Sequence, residues 1–83
     1  MKLELGVVAI HHRTFDQQDF DRFAALSGDD NPIHVDPEFA ARTRFGRTVS
    51  HGMLLYSTLC GRLRRELGPG YRQVEQELKF ATP

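Results

Sequence analysis

Gly52-Met-Leu-Leu-Tyr-Ser-Thr-Leu-Cys-Gly-Arg-Leu-Arg-Arg-Glu-Leu67 is the stretch on which the fold turns. Its first half is apolar nearly all round and its second half is basic, the pattern of a helix enclosed at its front and wet at its back. Starting at His51 or Gly52, it carries Arg62, Arg64 and Arg65 where cations favour a helix C-terminus, and Gly68-Pro69-Gly70 stops it. A helix of this kind needs other elements to cover it.

Before it, Asp36 and Pro37 match an N-cap followed by proline at the first helical position, which predicts a short helix from Pro37 to about Thr43. Gly46 then releases the chain. Ser27 to His34 is dense in turn-forming residues, and Pro32 pushes Asn31 out of the helical region, so a structured loop is expected. Asp16 and Asp19 can cap a helix from about Gln17 to Leu26, with Phe20, Phe23, Ala24 and Ser27 on one face.

At the two ends, Leu3 to Thr14 and Tyr71 to Phe80 mix apolar and polar positions at roughly alternate places and read as strands. Two strands make little sheet, because isolated strand pairs are marginal in water. A piece of sheet is therefore expected to be missing or supplied by another chain. No internal repeat, linker or low-complexity tract interrupts the sequence.

The chain has 83 residues, room for one small domain that buries about 60% of its unfolded surface. Hydrophobic residues make up 40% and charged residues 27%, an ordinary globular balance. Eleven basic side chains offset eleven acidic ones, which disfavours nucleic acid and anionic membrane surfaces as partners. The lone Cys60 lies in an apolar run, where a buried, inert thiol is the common case. With no signal-peptide pattern and no membrane-length apolar run, a cytoplasmic location is expected.

Chemistry is concentrated at Asp29 and His34, five positions apart with Asn31 and Pro32 between them. A carboxylate and an imidazole facing one water can remove its proton and return it, because imidazole titrates near neutral pH and the carboxylate can orient the attacking water. Gly52 opens the long helix, where backbone N–H groups lack partners and can stabilise a developing oxyanion. Polar turns holding both residue types are common, so this spacing alone is weak.

The whole string is more specific. Leu26-Ser-Gly-Asp-Asp-Asn-Pro-Ile-His-Val-Asp-Pro-Glu-Phe-Ala40, then Phe45-Gly-Arg47 and Val49-Ser-His-Gly-Met-Leu-Leu55, closely resembles the signature of the MaoC-like family of (R)-specific enoyl-CoA hydratases and 3-hydroxyacyl dehydratases. The resemblance runs from about Thr14 to Phe80. It implies an α+β hot-dog fold, in which an antiparallel sheet wraps a long central helix, here residues 52–67. Residues 1–83 would form a single, partial domain of that type, since family members continue with further strands.

The resemblance further implies reversible hydration of trans-2-enoyl thioesters of coenzyme A or acyl carrier protein, within fatty-acid metabolism. Asp29 and His34 match the catalytic pair, Asn31 the residue that holds the loop, and Gly52 the oxyanion-hole amide. Neither metal nor redox cofactor is implied, and a homodimer or larger assembly is. The rivals are a hot-dog thioesterase, against which the Asp-x-Asn-Pro-x-His order argues, and a non-catalytic acyl-thioester-binding or scaffold half-domain.

Around this centre the commoner readings are structural. His51 is a candidate substrate contact, but hydrogen bonding at the helix start is the more frequent use. Arg47, with Arg42 and Arg44, is a candidate for carrier phosphates, against the commoner solvated surface. Asp36 reads as a cap, Asp30 as a solvated residue, His11 and His12 as strand residues, and Tyr56 and Cys60 as packing residues.

Overall fold

The computed structural model describes residues 2–83. Four helices follow in order: α1 (Gln17–Ser27), α2 (Pro32–Val35), α3 (Pro37–Ala41) and α4 (Gly52–Leu67).

Each helix start has a local cause. Asp16 and Asp19 form a reciprocal capping box, each carboxylate 3.0 Å from the other's backbone N. The Asp36 carboxylate accepts from the N–H groups of Glu38 and Phe39, both at 3.1 Å, with Pro37 in the first turn. At its far end α1 closes on Gly28, whose φ of 80° is left-handed and whose N–H bonds Ala24 O at 2.9 Å.

One helical turn replaces part of the expected loop. Asn31 Oδ1 accepts from Ile33 N at 3.1 Å and Pro32 supplies the first helical position, so α2 forms over Pro32–Val35. α2 packs against both α1 and α3. Phe20, Ala24, Ala40, Leu54 and His51 are the buried side chains of the core.

Two expectations are corrected. Among the described residues no strand forms, and the segments expected as strands, Leu3 to Thr14 and Tyr71 to Phe80, have no regular secondary structure. A strand is held by hydrogen bonds to a neighbour, and these segments have no ladder to join. The front half of α4 is likewise not enclosed: Leu54 is buried, but Met53, Leu55 and Leu59 remain 50%, 37% and 39% exposed. The radius of gyration, 15.3 Å, exceeds the ~12 Å of a compact chain of this length, in line with end segments that do not close over the helix.

The C-terminal segment nevertheless lies along α4. Gln73 Nε2 donates to Tyr56 Oη at 2.6 Å, and the Tyr56 hydroxyl in turn donates to Gln76. Farther on, the Phe80 ring lies against Gly52.

Candidate active site

Asp29 and His34 come together on the turn between α1 and α2. His34 Nε2 stands 4.0 Å from Asp29 Oδ2, the imidazole largely buried and the carboxylate open to solvent. A single water can reach both atoms at ordinary hydrogen-bond length, about 2.8 Å from each.

The imidazole is fixed from behind. His34 Nδ1 lies 2.8 Å from Val49 O. A carbonyl only accepts, so neutral His34 carries its proton on Nδ1 and turns the Nε2 lone pair toward Asp29. Its backbone is tied too: Gln17 Nε2 donates to His34 O at 2.8 Å, and Gln17 Oε1 accepts from Thr48 Oγ1 at 2.7 Å. Val49 N closes the same layer on Ile33 O at 3.1 Å.

Asp29 is held through its backbone. Its N–H meets Ser27 Oγ at 3.1 Å, while His51 Nε2 lies 2.8 Å from its carbonyl oxygen. That leaves the carboxylate uncommitted for a ligand. Asn31, expected to hold the loop, caps α2, and its carbonyl accepts from His34 N at 2.9 Å.

His51 is the N-cap of α4 and is 2% exposed. Its ring stacks on that of His34, with centroids 3.8 Å apart and planes 23° from parallel, and packs edge-to-face with the Phe23 ring at a centroid distance of 4.8 Å. The stack carries the start of α4 to the turn that holds Asp29 and His34, so Gly52 begins its helix beside the pair. Donors in that first turn have no partner within the helix.

Arg47 does not join this group. It is exposed, as are Arg42 and Arg44, and the Arg44 guanidinium lies over the Phe45 ring at 4.9 Å. Asp29, His34 and His51 do offer three ligand-type atoms within 4.8 Å of one another. Stacked rings nevertheless fit a shared cation poorly, because an ion in the plane of one imidazole lies out of the plane of the other.

Gln17 and Thr48 have no reading as site residues in the sequence, and Phe23 reads there as one of the apolar residues on one face of its helix. Gln17 and Thr48 act on the turn from 17 and 31 positions away, and no local pattern marks them. Only the Val49-Ser-His-Gly motif placed Val49 near the site, without revealing that its carbonyl is the part used.

Comparison with known proteins agrees with the motif. Over 82 residues the chain is 45% identical to an (R)-specific enoyl-CoA hydratase of Aeromonas caviae, covering 98% of this chain and 61% of that protein. It is 38% identical to a 3-hydroxybutyryl-CoA dehydratase of Methylorubrum extorquens, covering 98% and 52%. The chain thus spans about half to three-fifths of the length of these curated relatives.

Solved structures give the same neighbours. An (R)-hydratase from A. caviae involved in PHA biosynthesis aligns with TM-score 0.65 and 49% identity, over 70% of this chain and 45% of that one. An unliganded R-hydratase from Pseudomonas aeruginosa aligns with TM-score 0.65 and 37% identity, over 75% and 40%. Among the described residues no helix is long and apolar enough to cross a membrane. The pattern of the MaoC like domain matches residues 3–83, and with motif, backbone and relatives in agreement the chain belongs to the MaoC-like domain family.

Proposed function

We propose that this chain carries the acid/base residues of a hydro-lyase that interconverts trans-2-enoyl and (R)-3-hydroxyacyl thioesters. The observation that carries the reading is the 4.0 Å gap between Asp29 Oδ2 and the lone pair of His34 Nε2. The names of the hydratase and dehydratase relatives support it.

In the hydration direction, Asp29 accepts a hydrogen bond from a water and orients it, while His34 Nε2 takes its other proton. The hydroxyl adds to C3 of the conjugated thioester, and electron density moves to the carbonyl oxygen as an enolate. The Gly52 N–H, at the positive end of α4, donates to that oxygen. The proton then passes to C2, so one water adds across the double bond and both side chains return to their starting states. Dehydration is the reverse.

The same reading makes residues 1–83 part of a single α+β hot-dog domain with α4 as its central helix, acting in the cytoplasm as a homodimer or larger assembly. The exposed apolar residues Leu55, Leu59, Leu78 and Phe80 suit elements that such a sheet would cover. Coenzyme A or acyl carrier protein carries the acyl group, and Arg47 is a candidate for its phosphates.

Product analysis with a short trans-2-enoyl-CoA tests the reading. Loss of the conjugated absorbance without thiol release is expected. Thiol release instead identifies a thioesterase, and tight binding without either change identifies a non-catalytic acyl-thioester module.

A further inference from the structure

His51 has the deepest burial of the titratable side chains described, yet the reaction above gives it no step. We propose that His51 is a positioning residue that sets the catalytic turn against the start of α4. The inference rests on the reading of Asp29 and His34 as the acid/base pair.

The geometry carries it in three contacts made by one ring. His51 Nε2 meets Asp29 O at 2.8 Å, its face lies on His34 with centroids 3.8 Å apart, and the Phe23 ring packs edge-to-face against it with centroids 4.8 Å apart. Its own backbone is the N-cap of α4, so the next residue is Gly52. Carboxylate, imidazole and helix N-terminus are thereby referred to a single rigid side chain. At 2% exposure that side chain is a support inside the fold and not a surface for substrate.

The contact also selects a tautomer. Asp29 O accepts only, so Nε2 must carry the hydrogen, and the lone pair falls on Nδ1, which is buried without a hydrogen-bond partner. The opposite tautomer would set two lone pairs face to face at 2.8 Å and leave a buried N–H unpaired. A neutral ring is also the better neighbour for His34, because a face-on aromatic system attracts the cation that His34 becomes when it takes a proton from water. A charged His51 would oppose that step.

Two measurements on the full chain test the proposal. Imidazole ¹⁵N shifts in mildly alkaline solution should show His51 as the Nε2–H tautomer and His34 as the Nδ1–H tautomer; His51 found as Nδ1–H overturns the anchor. For kinetics, His51→Gln keeps an N–H donor at similar reach, and His51→Phe keeps the ring but loses the donor. The Gln variant should stay within about threefold of the original kcat, and the Phe variant should lose about tenfold or more with KM changed less than about twofold, as for displaced reacting groups.

Unchanged kcat in the Phe variant overturns the positioning role. Should that variant fail to fold, a loss of about tenfold or more in a folded Gln variant does the same. A full chain that does not hydrate enoyl thioesters refutes the proposed function instead, and the tautomer measurement still decides the anchor.

Discussion

The Phe80 ring occupies the space that a Cβ on residue 52 would need: its Cε2 lies 2.7 Å from that position. The first residue of α4 is thus a glycine for a packing reason. Gly52→Ala should cost about 1 kcal/mol, near the low end for overpacking, because Phe80 is half exposed and can swing. Phe80→Ala should relieve that cost, giving non-additive unfolding energies in a double-mutant cycle. Strictly additive energies would show that the ring does not rest there.

Gln17 joins three segments, bonding His34 O and Thr48 Oγ1 through its two amide atoms. Gln17→Ala should destabilise by about 1–2 kcal/mol in denaturant unfolding, the net worth of two hydrogen bonds. It should also lower kcat, since the His34 backbone is then untied. Gln17→Ala with unchanged stability and rate would remove this strut from the account.

The cap of α3 is separable from the chemistry. Asp36→Ala should cost about 1 kcal/mol through loss of the bonds to Glu38 and Phe39. The KM and kcat of the folded protein should change little. A large loss of kcat with stability intact would assign Asp36 a role that its geometry does not supply.

Tyr56 ionises above its ordinary value of 10.0, first because of the neighbouring Cys60 thiol, against an opposing effect of Gln73. The folded state favours the neutral phenol. Its contribution to stability is therefore fully present below the ordinary value and is lost as pH rises through the elevated one. Phenolate absorbance should show a late step that Tyr56→Phe removes and Cys60→Ala moves toward lower pH; a Cys60→Ala titration identical to the original would contradict this cause.

Local chemistry was legible in the sequence and long-range assembly was not. The Asp16 and Asp36 caps and the Gly68 stop act within a few residues, and α1, α3 and α4 begin and end close to where they predict. The turn-forming residues that crowd Ser27 to His34 predict a loop where α2 forms, although Asn31 and Pro32 are also a good helix start. The apolar alternation of the end segments describes a surface that would suit a sheet, but pairing needs a neighbouring strand, and none forms among the described residues. For the same reason the apolar front of α4 is more exposed than its composition suggests. Asp29 and His34 were visible as a motif; the Gln17 tie, the Val49 carbonyl and the His34–His51 stack come from folding distant segments together and leave no periodic trace.

The rate of hydration by Asp29→Asn tests the central claim most directly. The carboxylate is exposed and Asp29 is anchored through its backbone, so the amide should leave the fold intact while removing the negative charge that the proposed mechanism uses to orient water. A fall in kcat of about 10² to 10⁴, the range for a lost acid/base group, with unfolding unchanged, is the predicted result. Hydration by the folded variant at the original rate would contradict the account.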